Sequence, residues 1–132
     1  MKLLTFLQVL FVDNPVGTGF SYTDDNSYLT KDNKQIALDL VALLKGVYLT
    51  LPEFETVPLH IFGESYGGKM AIEFAYELNK AIELGEIKAN LKGAYLGDAW
   101  ISPIESTLSW APYLFQLVIH NDFSNFSIVV WE

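Results

Sequence analysis

Ser65 sits in Gly63-Glu64-Ser65-Tyr66-Gly67, a spacing that can turn a serine hydroxyl into a nucleophile. An apolar β-type run, Leu59-His60-Ile61-Phe62, leads into it, and a helical pattern starts near Lys69. A strand-to-helix turn this tight puts the serine in strained dihedrals, and Gly63 and Gly67 are small enough for strand and helix backbones to pass closely. The hydroxyl is then exposed above the sheet. The first amides of the helix point toward it, where they can stabilise developing negative charge. The chemistry expected of such a turn is acyl transfer.

A serine nucleophile needs a base to take its proton and a third group to orient that base. In folds built on this turn the chain order is serine, acid, histidine, and Ser65, Asp98 and His120 satisfy it. Asp98 follows a strand end, where an acid can reach the site. His120 is placed less well, because Leu117-Val118-Ile119-His120-Asn121 offers no strand and loop to return it over Ser65. His60 precedes the nucleophile on the same strand, cannot reach over the turn, and is expected to be a packed sheet residue. With zero cysteines and these two histidines alone, thiolate chemistry and metal sites of thiolate type are excluded, and no cofactor is implied.

The remaining elements read as follows. Met1-Lys2 and the apolar run Leu3 to Val12 have the outline of a short signal peptide, but the flank is Asp13-Asn14-Pro15, a turn signal with no small-residue cleavage site. Gln8 to Val12 is therefore expected as a buried parallel strand, and the run is too short to span a bilayer. Gly17 and Gly19 resemble half of a dinucleotide fingerprint, but no third glycine or immediate helix follows, so a phosphate cradle is not expected. From Asp32, with Gln35 as its capping-box partner, a helix presents Ile36, Leu40, Leu43, Leu44 and Val47 on one face and stops at Leu51-Pro52. A second helix carries Met70, Phe74, Leu78 and Ile82, flanked by Ala71 and Ala75, and stops at Gly85. Leu91 to Leu96 is a further strand, and beyond Ile101-Ser102-Pro103 the sequence reads as aromatic and irregular, with a short apolar stretch at Pro112 to Ile119. Alternating strands and helices predict an α/β architecture with a parallel sheet.

The chain has 132 residues, the size of one ordinary domain or part of a larger one. Sixteen acidic against eight basic residues give a net charge of -8, which argues against partners bound through a basic surface, nucleic acid and anionic membrane alike. Mean hydropathy of +0.25 excludes disorder and is higher than a small self-sufficient domain needs. Asn125-Phe126-Ser127 is a glycosylation sequon, of consequence only in the secretory pathway.

Three segments together carry a family resemblance: VLFVDNPVGTGFSY (Val9 to Tyr22), PEFETVPLHIFGESYGGKMA (Pro52 to Ala71) and GAYLGDAWISPIESTLSWAPYL (Gly93 to Leu114). They resemble consecutive segments of the serine carboxypeptidases, in particular the retinoid-inducible subgroup, in which GESYGGKMA and GD-x-WISP occur together. The resemblance runs from about Val9 to about Leu117. It implies a partial α/β-hydrolase fold in a single partial domain over residues 1–132, and a hydrolase that releases C-terminal residues from peptides through an acyl-enzyme at Ser65. It further implies that the Tyr66 amide is an oxyanion donor and that Glu64 helps hold the substrate's terminal carboxylate. Two carboxyl groups that close share a proton, which favours activity in acid. Ser21, in the GFSY loop, is implied to approach the same carboxylate site. Asp98 becomes a pocket or structural residue, the partner is a peptide with a free C-terminal carboxylate, and the location is the secretory pathway, lysosomal or extracellular.

Family members are several times longer, so the chain is expected to be a fragment, alternative product or incomplete gene model, inactive as written. The family's triad acid and histidine come later, and the loop with the second oxyanion amide comes before Val9. In the α/β-hydrolase strand order 1-2-4-3-5-6-7-8 the resemblance makes Gln8 to Val12 strand 4. Strand 3 should lie between it and the Leu59 strand, so either a gap or a direct pairing is expected, with apolar edges left open. The alternatives are an esterase or lipase of the same architecture, and a non-catalytic binding or dominant-negative fragment.

Overall fold

The computed structural model describes residues 8–117. Two strands, β1 (Pro58–Glu64) and β2 (Asn90–Gly97), pair in parallel, with His60 opposite Gly93 and Glu64 opposite Gly97, and a register shift after Leu59. Helix α1 (Asn33–Thr50) precedes β1, α2 (Tyr66–Glu83) crosses from β1 to β2, and α3 (Pro103–Leu117) follows β2. The β1–α2–β2 unit is the parallel crossover that an α/β sequence requires. Its α/β class is as expected.

Helix α1 starts where Asp32 accepts the Gln35 amide at 2.8 Å, while the Gln35 side chain accepts the Lys31 amide at 3.2 Å. It ends at Leu51, before Pro52. At the start Asp32 satisfies one of the donors that a helix start leaves without partners, and Gln35 reaches back past the cap residue to the amide before it. Asp32→Ala should lower unfolding stability by about 1 kcal/mol, read as a drop in the urea midpoint at constant slope.

α2 lies on one face of the sheet and α1 packs on α2. The core joins Val41, Leu44 and Tyr48 of α1, Ile61 of β1, Ala71, Leu78 and Ala81 of α2, and Ile87. The buried face of α1 is Ile36, Ala37, Val41, Leu44 and Tyr48, rotated from the expected stripe: Leu43 is exposed and Leu40 only partly buried. The rotation follows from where α2 sits, since α1 turns its apolar face toward that helix. Burial pushes the Tyr48 phenol above its ordinary range, with Glu55 nearby adding to the effect. Gly85, at φ +73°, ends α2 as expected.

The sheet's other face carries His60, Phe62 and Tyr95, with Phe62 and Tyr95 stacked at 4.8 Å between ring centroids. His60 is exposed there and not packed as expected, its Nδ1 3.1 Å from the Tyr95 hydroxyl. A second correction concerns Gln8 to Val12, which forms no strand; Phe11 is 91% exposed. Its sequence has strand character, but a strand exists only as a pairing, and it pairs with neither strand of the two-stranded sheet. Of the two outcomes expected, a gap and a direct pairing, the direct pairing is not made.

Asp13 organises the loop that follows. Its carboxylate accepts the Phe20 amide at 2.7 Å and fills the space beside Gly19, while its carbonyl accepts the Ser21 hydroxyl at 2.7 Å. A carboxylate in that position is incompatible with a phosphate cradle. From Pro103 to Leu117 the chain is helical where irregularity was expected: Pro103 opens α3, and the Ser106 amide donates to the Ser102 carbonyl at 3.0 Å. Proline suits a first helical position because its missing N–H has no intrahelical acceptor there anyway.

Candidate active site

β1 delivers the chain to Ser65, which has φ +53° and ψ -123°, and α2 begins at the next residue. A non-glycine residue holds such dihedrals only when its surroundings over-determine them. Here the surroundings are identifiable. The Ser65 amide donates to the Gly97 carbonyl at 3.0 Å, and the Ser65 carbonyl accepts the Trp100 amide at 2.9 Å and the Gly68 amide at 3.1 Å. The serine's two peptide groups are thus tied to the tip of β2 and to the first turn of α2.

Glycine is needed at two positions of this turn. A Cβ on Gly63 would meet the Gly67 carbonyl and come within 2.7 Å of the Ala71 Cβ. A Cβ on Gly68 would strike Ala99. Gly67 was expected to share the crowding with Gly63, but a Cβ there meets nothing within 4 Å. The close approach is therefore made by Gly63 to the helix and by Gly68 to the loop after β2, a division the motif does not reveal.

Ser65 is exposed, at the N-terminal end of α2. Tyr66 is the first residue of that helix, so its N–H is among the amides left without an intrahelical acceptor. Its side chain is held apart from that amide: the hydroxyl donates to Asn33 at the start of α1 at 3.2 Å, and the Lys69 ammonium lies 5.4 Å from the ring centre. Glu64 is the last residue of β1, exposed beside the serine. Asp98 follows β2 directly, in the left-handed region at φ +45°.

Ser21 is brought to a different place. It borders an open depression of about 320 Å³ shared with Val12, Asn14, Phe20, Tyr22 and Leu43, which neither Ser65 nor Glu64 lines. The link from this loop to the helix of the elbow is Asn14, whose amide reaches the Met70 sulfur at 3.2 Å. His120 and the sequon at Asn125 lie outside the described residues. His60 is five positions before Ser65 on an extended strand, roughly 16 Å away at about 3.3 Å per residue. Among the described residues no group of three His, Asp or Glu could hold a metal ion, and no helix is long and apolar enough to cross a membrane.

Gly97, Trp100 and Gly68, the residues that grip the serine, were not singled out in the sequence for that purpose. A glycine-aspartate pair closing a strand was the available signal for the first of them. What the assembly offers chemically is an exposed hydroxyl in an enforced conformation over a helix start, with a carboxylate beside it.

Known proteins share this arrangement of sequence. A serine carboxypeptidase family profile matches residues 5–127. The retinoid-inducible serine carboxypeptidase of Rattus norvegicus is 53% identical over 114 residues, 86% of this chain and 25% of that protein. The Homo sapiens protein of the same name is 52% identical over 121 residues, 89% of this chain and 27% of its own length. The crystal structure of Kex1Δp, a prohormone-processing carboxypeptidase from Saccharomyces cerevisiae, superposes with a TM-score of 0.74 at 28% identity, covering 87% of this chain and 26% of that one. The chain spans about a quarter of the length of the curated relatives it matches. The family match takes in β1, the serine turn, α2, β2 and the loop that grips Ser65, and on that extent the chain belongs to the serine carboxypeptidase family.

Proposed function

We propose that this chain carries the nucleophile and the carboxylate-binding part of a serine-type carboxypeptidase. The observation that supports it most directly is Ser65, held at φ +53° with its hydroxyl exposed at the start of α2. In the reaction the Ser65 Oγ attacks the carbonyl of the last peptide bond. Its proton passes to a base, the C–N bond breaks, and the protonated amine leaves as a free amino acid. Water then hydrolyses the acyl-serine. The Tyr66 amide stabilises the oxyanion, Glu64 holds the substrate's terminal carboxylate through a shared proton, and Ser21 is a peripheral contributor from the neighbouring loop. The substrate is a peptide with a free C-terminus, met in the secretory pathway, in lysosomes or outside the cell. The net charge of -8 fits a protein that binds no nucleic acid.

The isolated 132-residue chain is proposed to be inactive, because His60 is too far along β1 to serve as the base and the sequence around His120 offers no strand and loop to return it over Ser65. A chimera tests the nucleophile and the isolated chain tests the inactivity. Residues Val9 to Leu117 should replace the matching segment of the Rattus norvegicus relative and restore cleavage of acyl-dipeptides, with organophosphonate labelling at Ser65. Ser65→Ala in the chimera should lower kcat by a factor on the order of 10⁶. A folded chimera that cleaves no acyl-dipeptide, or whose Ser65→Ala variant keeps its rate, sinks the proposal. Equal hydrolysis of a neutral ester and its free-acid analogue would favour the esterase reading. Turnover by the isolated chain, lost in Ser65→Ala, would overturn its inactivity.

A further inference from the structure

Asp98 is one of two non-glycine residues with positive φ among the described residues, and the other is Ser65. They stand at the tips of the two paired strands, each one residue past its strand's last position, Glu64 opposite Gly97. The left-handed turn at Asp98 sets one extra residue between the two contacts, so that Gly97 presents its carbonyl to the Ser65 amide while Trp100, three residues on, presents its amide to the Ser65 carbonyl. A regular parallel ladder would meet both peptide groups of Ser65 from residues two apart, Gly97 and Ala99; the pairing with Gly97 and Trp100 depends on the one-residue kink at Asp98. The same turn seats Ala99 against Gly68, where a Cβ would find no room.

We propose that Asp98 is a positioning residue for Ser65, acting through its backbone: its left-handed conformation forms the clamp that holds the nucleophile's two peptide groups. The proposal rests on Ser65 as nucleophile for its functional meaning. It assigns no proton transfer to the Asp98 carboxylate. Aspartate, asparagine and glycine tolerate the left-handed region, whereas other residues disfavour it by a Cβ clash with the following carbonyl oxygen.

Amide hydrogen exchange on the 132-residue chain tests the clamp without any enzymatic readout. Asp98→Ala should speed exchange of the Ser65 and Trp100 amides roughly five- to thirtyfold and leave the Leu78 amide, in the core, unchanged. Asp98→Asn and Asp98→Gly should both keep wild-type exchange at Ser65 and Trp100, since they preserve the turn with an uncharged side chain or none. Wild-type protection of both amides in Asp98→Ala overturns the proposal. So does equal acceleration at Leu78, which means general loosening, or failure of Asp98→Gly to rescue, which makes the carboxylate essential. In the chimera, Asp98→Ala should lower kcat for acyl-dipeptides with KM little changed, and Asp98→Gly should restore it. If Ser65 is not the nucleophile, phosphonate labelling of the chimera with Asp98 intact fails while the exchange pattern stands, so the two ideas fail separately.

Discussion

Gly63→Ala should destabilise the chain by about 2–3 kcal/mol, while Gly67→Ala, two positions past the serine in the same motif, should stabilise it by up to about 1 kcal/mol. Two effects oppose each other at Gly63. Alanine removes conformational entropy from the unfolded chain, a gain of about 0.4–1 kcal/mol. Against that, the new Cβ meets the Gly67 carbonyl and lies 2.7 Å from the Ala71 Cβ, closer than real Cβ atoms come. The Gly67 carbonyl is backbone in the first turn of α2 and cannot swing aside as a long side chain would. Overpacking therefore outweighs the entropy gain, and the strand and helix must part. At Gly67 the balance reverses, because open space surrounds its Cβ position and alanine is the better helix former. Urea midpoints of the two single variants check the signs. A Gly63→Ala variant as stable as the parent would show that strand and helix do not approach as closely as described. In the chimera, Gly63→Ala should also slow phosphonate labelling at Ser65, since the dihedrals of the serine depend on that approach.

The parts of the site legible in the sequence were those written in local pattern. G-x-S-x-G between an apolar β-type run and a helical stripe is enough to place a serine at a turn, and Gly85 and Leu51-Pro52 are enough to stop helices. What the sequence could not show was set by partners distant along the chain. The glycine of the turn's helical side that touches another segment is Gly68, because Ala99 comes to rest against it, and nothing around residue 68 announces that. Trp100 and Gly97 bind the serine from more than thirty residues away, through backbone atoms whose side chains carry no trace of the role. Gln8 to Val12 failed as a strand for the same reason: its apolar composition was read correctly, but pairing needs a neighbour. The sequence places His60 in the sheet but not on its exposed face, because period-two alternation separates two faces without saying which one a helix covers.

Leu78→Ala is expected to cost the chain about 3–5 kcal/mol, enough to unfold much of a domain of marginal stability. Leu78 is fully buried, at 0% exposure, and sits in α2 within the cluster that joins Val41 and Leu44 of α1 to Ile61 of β1. The value falls toward the upper end of the range for leucine truncation, because the atoms around the void belong to two helices and a strand that cannot all move inward together. Leu49→Ala on α1 is the matched control. At 86% exposure Leu49 touches little, and its truncation should change stability by less than about 0.5 kcal/mol. The comparison separates burial from residue type, since both variants lose the same atoms from a helix. The consequence reaches the site through α2, whose first turns pack against Gly63 and, through Gly68, against Ala99, while its middle supplies the core. In Leu78→Ala the amides of Ser65 and Trp100 should therefore lose exchange protection together with the core amides, unlike the selective loss expected of Asp98→Ala. A Leu78→Ala variant that unfolds normally but keeps full protection at Ser65 would mean that the strand tips, and not α2, maintain the conformation of the nucleophile.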